Sequence, residues 1–205
     1  MTPNLSEELK SALRERILVL DGAMGTTIRS YELCEADARG ERFQDNNEDL
    51  LNNGDILSIT QPSVIGDIHK RFYEAGSDIC ETNTFSGTVL AQSEFFVQDP
   101  RKSGGIKDPE FFDKKVINNT KLQDLVHELN VKSVQLAKEQ ADRVSQNDGR
   151  KRYVAGAIGP PDCFSHQRRR SKRHFIPPCH LRSGQTNLPP PNRRSPRRRL
   201  RYSHG

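Results

Sequence analysis

The chain has no tryptophan among its 205 residues, and only 6% of it is aromatic. Its hydrophobic content, 33%, is a small supply from which to build a core. No apolar run approaches the roughly 18 residues that cross a bilayer, so no membrane span is expected. The N-terminal stretch MTPNLSEELKSALRER lacks the apolar centre of a secretory signal. It also carries acids, which argues against a mitochondrial presequence. Cysteine is scarce: Cys34, Cys80, Cys163 and Cys179 fall at irregular spacing. That pattern gives no disulfide framework and points to the reducing cytoplasm.

One further absence is regional. Residues 161–205 contain a single acid, Asp162, against 12 Lys and Arg, a balance of +11. Residues 1–160 hold 26 acids against 20 bases, a balance of −6. The basic character of the whole therefore belongs to the tail. The tail also holds seven prolines, with clusters at Arg168–Arg170 and Arg197–Arg199 and no helical or strand period. Such a segment buries too little apolar surface to offset the entropy of ordering it, and disorder is expected. Non-specific attraction to nucleic acid or another polyanion is the interaction its charge would support. The weaker claim, a solvated charge run without a partner, is the default for arginine-rich composition.

The body alternates. Leu9, Ala12 and Leu13 share a helical face over residues 6–16. Ile17-Leu18-Val19-Leu20 is a continuous apolar run of the kind found in parallel strands covered on both faces. Residues 30–54 read as a long polar loop. Asp55–Thr60 is a second strand candidate. Pro62 then opens a helix carrying Val64, Ile65, Ile68 and Phe72, with Gly76 at its end. Asp78–Asn83 is a third strand, residues 96–120 an inserted surface loop, and residues 121–145 a helix with Leu122, Leu125, Val126, Leu129, Leu136 and Ala137 on one face. Asn147-Asp148-Gly149 ends it, and Tyr153–Ile158 is the fourth strand. Strands alternating with helices indicate an α/β fold with a parallel sheet.

Four strings stand out: Asp21-Gly22-Ala23-Met24-Gly25-Thr26; Thr60-Gln61-Pro62; Glu74 through Phe85 (EAGSDICETNTF); and Val154 through Pro160 (VAGAIGP). In this order they resemble the N-terminal homocysteine-binding domain of the cobalamin-dependent methionine synthases. Arg39-Gly40-Glu41-Arg42-Phe43 resembles that family more than its betaine- or S-methylmethionine-dependent relatives. The resemblance covers residues 10–95 and 121–160. It implies the N-terminal half of a (β/α)8 TIM barrel over residues 1–160, followed by an unrelated tail. A full barrel takes about 250 residues.

The implied activity is methyl transfer to the sulfur of homocysteine in methionine biosynthesis. The implied substrate-binding residues are Asp21, Gly22, Ala23, Glu81, Thr82, Asn83 and Thr84. Asp21 would accept a charge-assisted hydrogen bond from the substrate ammonium. Two plainer readings stay open. Asp-Gly after a strand is commonly a turn, and residues 81–84 could simply satisfy buried polar groups. Met24 and Phe85 read as packing residues.

The resemblance also implies zinc and methylcobalamin, recharged from methyltetrahydrofolate. Zinc would hold the substrate sulfur as thiolate, since a free thiol of pKa about 8.5 is mostly protonated near neutrality. The family's zinc ligands, one lone cysteine and one adjacent pair from later strands, have no counterpart here, nor does a cobalamin domain. No catalytic residue and no metal ligand is therefore assigned. Cys163, His166, His174, Cys179 and His180 have suggestive spacing, but clustered arginine and a lack of apolar residues argue against a zinc module. Such a switch of character after Pro160 is what out-of-frame translation or a mis-joined exon would produce. The expectation is an incomplete, inactive fragment.

Overall fold

The computed structural model describes residues 5–97 and 112–159. The tail, with its expected disorder and its Cys and His residues, lies outside the described residues, as does most of the expected loop at 96–120.

Three stretches of chain run parallel. Strand β1 (Ile79–Glu81) pairs with β2 (Tyr153–Ala155) in the register Ile79 with Tyr153, Cys80 with Val154 and Glu81 with Ala155. Along the other edge of β1 runs the segment 19–21, joined by a parallel bridge between Leu20 and Ile79. The Asp21 amide donates to the Ile79 carbonyl at 2.9 Å, and the Ile79 amide to the Val19 carbonyl at 3.1 Å. The result is a helix-rich α/β fold with a small parallel sheet.

Helices pack against this sheet. Helix α1 (Leu5–Glu15) precedes the first edge; α2 (Met24–Arg29) and α3 (Glu35–Arg39) follow it. A 3₁₀ turn (Gly54–Ile56) leads into the single-turn α4 (Leu57–Thr60) and then α5 (Pro62–Glu74). Helix α6 (Val89–Phe96) and a π-helical turn (Phe112–Ile117) precede the long α7 (Thr120–Asp148). Pro62 sits in the first turn of α5, where a missing N–H leaves nothing unpaired. Gly76, with φ of 113°, turns the chain from α5 toward β1 in a conformation that favours glycine. Asn119 caps α7 by accepting from the Leu122 amide, and Gly149 ends it in the left-handed region.

The face expected on α7 is found. Leu122, Leu125, Val126, Leu129 and Ala137 are buried, and Leu136 packs at the margin. Tyr73 and Cys80 form a core cluster with Ala141 and Val144 behind the sheet. Ala38, Leu50, Leu57, Ile65 and Ile68 form another.

Four expectations are corrected. Asp55–Thr60 is no strand but a 3₁₀ turn and a helical turn, with Asp55, Ile56, Leu57 and Ser58 all buried. A six-residue run is too short to carry a period that separates a strand from a buried helical turn. The run Ile17–Leu20 is not covered on both faces: Ile17 is 88% exposed and Val19 52%. Residues 30–54 contain one short helix, α3, tied down by Glu35, whose carboxylate accepts from the amides of Leu50 and Leu51 and pairs with Arg39. The described end of the expected surface loop buries Val116, and α6 occupies a stretch for which no element was expected.

At the N-terminal end of the sheet, Asp78 joins all three parallel stretches. Its carboxylate accepts from both terminal nitrogens of Arg16 at 2.8 Å, from the Val19 amide at 2.9 Å and from Arg150 at 2.6 Å. The Asp78 amide donates to the Val19 carbonyl, and its own carbonyl accepts from the Tyr153 amide. The Asp78 side chain has no solvent exposure, while those of Arg16 and Arg150 keep 38% and 46%. Hydrogen bonds from Arg16 above all hold the Asp78 carboxyl far below its usual range. Its contribution to stability is thus present above about pH 4 and is lost only as pH falls further. Replacement Asp78→Asn is expected to lower unfolding free energy by about 2–3 kcal/mol in urea denaturation. That lies at or just below the range for breaking a buried pair, since both guanidinium groups can rehydrate.

Candidate functional site

The C-terminal ends of the three parallel stretches gather the residues singled out in the sequence. Asp21 closes the first, Glu81 to Thr84 the second, and residues 155–159 the third. The Glu81 amide donates to Asp21 Oδ1 at 3.0 Å, so the first two ends are locked together. Burial raises the pKa of the half-buried Asp21, with the Glu81 amide and the Cys80 side chain pulling the other way. Gly22 and Ala23 are exposed, and a Cβ added at Gly22 would meet nothing within 4 Å. The left-handed residue of this turn is Ala23, at φ 46°, not either flanking glycine.

Thr82, Asn83 and Thr84 are placed differently. All three are buried. The Thr82 and Thr84 hydroxyls bond each other at 2.7 Å; Thr84 donates to the Ala157 carbonyl at 2.8 Å, and the Ala157 amide donates to Thr82 at 3.0 Å. Asn83 donates to the Gly54 carbonyl and to Ser58, and its own carbonyl accepts from Ser133. These side chains staple β1 to β2 and to the helical layer. The structure brings Asp21, Gly22, Ala23 and Glu81 together at accessible strand ends and sets residues 82–84 behind them.

Gly159 lies against this staple. A Cβ there would fall 1.9 Å from the Phe85 carbonyl oxygen, so only glycine lets the third strand end approach the second. Asp55, 6% exposed, accepts from the Ser86 amide and so fixes the loop after β1.

Three groups that the sequence reading passed over lie just behind Asp21. His69 on α5 has no solvent exposure, and neither ring nitrogen has a hydrogen-bond partner among the described residues. Burial pushes its pKa down to about 4, so the ring is neutral. Cys80 is equally buried; burial and then the Asp21 charge push its thiol up. Tyr73 donates to the Tyr153 carbonyl at 2.9 Å. One ligand atom each from Asp21, His69 and Cys80 lie within 4.8 Å of one another. The signal for His69 was its place in the helical series Ile65, His69, Tyr73.

Imidazole, thiolate and carboxylate suit zinc chemically. They do not suit a zinc that activates a substrate thiol, because that role needs an open position reachable by substrate, and two of the three donors are sealed from solvent.

Two clefts lie away from these strand ends. One, of about 390 Å³, is lined by Pro62, Gly66, Lys70, Glu139 and Arg143; another, of about 420 Å³, by Ser58, Glu128, Lys132 and Leu136. No helix among the described residues is long and apolar enough to cross a membrane.

The family model described as homocysteine S-methyltransferase matches residues 18–180. Among solved structures, the homocysteine methyltransferase MmuM from Escherichia coli in its metallated form aligns at 19% identity and a TM-score of 0.48, over 75% of this chain and 41% of that one. Its oxidized form aligns at 20% identity and a TM-score of 0.48, over 74% and 40%. The chain spans about two-fifths of the length of these structures.

Burial raises the Asp55 carboxyl to about 6, against a lowering by the Ser86 amide. The folded chain therefore holds a proton that the unfolded chain, at 3.8, has released. Stability relative to Asp55→Asn is expected to rise as pH falls from about 6 to about 4, by about 3 kcal/mol in all. Urea midpoints of the two chains across that window provide the check.

Proposed function

The chain belongs to the homocysteine S-methyltransferase family, and we propose that it is the homocysteine-binding front portion of a cytoplasmic enzyme of the cobalamin-dependent methionine synthase type. In this reading the three parallel stretches are the first strands of a (β/α)8 barrel, and the methyl acceptor is the sulfur of homocysteine. The observation that carries it is the meeting of Asp21, Gly22, Ala23 and Glu81 at the C-terminal ends of neighbouring parallel strands, where α/β barrels hold their substrates.

Asp21 accepts the substrate ammonium; the added cation offsets the burial that raises its pKa. The exposed Gly22–Ala23 turn lets the substrate's amino-acid end come close to backbone amides. Thr82, Asn83 and Thr84 act as positioning residues, holding the Glu81 amide on Asp21 through their bonds to Ala157, Gly54 and Ser58. Zinc would be held by the cysteines that this family carries on later strands and would supply the thiolate form of the substrate sulfur, and methylcobalamin would supply the methyl group. Chemistry therefore depends on partners beyond residues 5–97 and 112–159, and this chain alone binds substrate without turning it over.

Calorimetric titration of the full chain with homocysteine tests the reading. Asp21→Asn is expected to weaken binding about tenfold, from the loss of about 1.5 kcal/mol in a charge-assisted hydrogen bond. Equal binding of homocysteine and 4-mercaptobutyrate, which lacks the amino group, would contradict the role of Asp21. Incubation with homocysteine, methylcobalamin and zinc is expected to yield no methionine; zinc-dependent methionine would overturn the second half of the proposal.

A further inference from the structure

Behind the strand ends the sheet meets α5, and there an imidazole is buried. His69 has no solvent exposure, and neither ring nitrogen has a hydrogen-bond partner among the described residues. Leaving a buried polar group unsatisfied is costly, so such a group calls for a partner. The side chains that face it supply one kind of answer. Cys80 projects from β1 toward the helices, buried among Tyr73, Ala141 and Val144, and Asp21 reaches in from the end of the first parallel stretch.

The geometry points to a buried divalent-cation site of the zinc class, formed by the Asp21 carboxylate, the His69 imidazole and the Cys80 sulfur. The three donors come from three separate elements and already lie within 4.8 Å of one another. Donors at a tetrahedral zinc sit about 3.6 Å apart, given bonds of about 2.0–2.3 Å, so closing the site takes shifts of about 1 Å. One nitrogen, one sulfur and one oxygen form a set that zinc accepts and that magnesium or calcium does not. Binding is balanced: the cation takes the thiol's place for its proton, a metal–sulfur bond forms, the S–H bond breaks, and one proton leaves to solvent. Thiolate and carboxylate then neutralise the two positive charges, which removes the penalty of burying either alone.

Other facts agree with a cation there. Burial keeps the imidazole neutral, the form that ligates. The thiol is held protonated without a cation, so this cysteine is inert until a metal arrives. With two of its three donors sealed behind the sheet, the site is structural. It ties the first parallel stretch, α5 and β1 together, and it is separate from any zinc that would meet a substrate sulfur. Asp21 is shared with the homocysteine reading, but metal binding is measured without substrate, so the two proposals fail separately.

Cobalt(II) is the probe, because a thiolate ligand gives it a near-ultraviolet charge-transfer band. The test uses the full 205-residue chain with Cys34, Cys163 and Cys179 replaced by serine, leaving Cys80 as its one thiol; serine is itself a good helix cap at position 34. One equivalent of cobalt is expected to bind with a thiolate band that zinc then bleaches. His69→Gln in this background is expected to weaken cobalt binding by at least about tenfold, the size already typical for losing a residue that only orients a ligand. In the otherwise native chain, Cys80→Ser is expected to lower the bound cobalt by one equivalent. Absence of the band from the Cys80-only chain, an unchanged cobalt stoichiometry in Cys80→Ser, or indifference to His69→Gln would each overturn the site. Because the Cys80-only chain leaves all three donors intact, the test survives a misfolded Cys80→Ser.

Discussion

Everything in the sheet is referred to Asp78. A single buried aspartate, with four hydrogen bonds to its carboxylate and two to its backbone, holds the incoming first stretch, β1 and the segment before β2 in parallel register. Parallel strands need long crossover connections, and the chain provides them largely as helices. Without a fixed point at the N-terminal end, nothing would define how far each strand advances relative to its neighbours. With it, the opposite ends of the strands fall into step, and that is where Asp21, Glu81 and Gly159 meet.

At those ends the polar residues divide by burial. Thr82, Asn83 and Thr84 use their side chains internally, on Ala157, Gly54 and Ser58. Asp21, Gly22, Ala23 and Glu81 keep accessible surface. The first group fixes geometry, and the second is the part that the proposed reading assigns to substrate. Gly159 is part of the same device, because a side chain there would push the third strand end away from Phe85. The first stretch keeps apolar surface exposed, Ile17 above all.

Much of this was legible in the sequence where a long period or a rigid residue spoke. The apolar face of α7 extends over several turns, so its spacing was unambiguous. Pro62 and Gly76 bracketed α5 because their backbone preferences are intrinsic. The interest of the strand ends at Asp21 and Glu81 followed from four strings in order, where any one alone is a weak signal. What failed was short or non-local. Asp55–Thr60 carries too few residues for a period, and its helical turns are set by packing against α5. The coverage of Ile17–Leu20 depends on neighbours, not on its own composition. That Thr82 and Thr84 spend their hydroxyls on Ala157 is a contact across more than seventy positions, invisible to any local pattern. The triad of Asp21, His69 and Cys80 is hidden for the same reason, since its members come from three elements.

The central claim is that the accessible strand ends, and no other surface, receive an amino-acid thiol. Amide chemical-shift mapping of the full isotopically labelled chain with homocysteine tests it most directly. The account predicts perturbations concentrated at Gly22, Ala23 and Glu81, with Lys70, Glu139 and Arg143 on the α5–α7 cleft unmoved. Perturbations centred on that cleft, or none at the strand ends at saturating homocysteine, would contradict it.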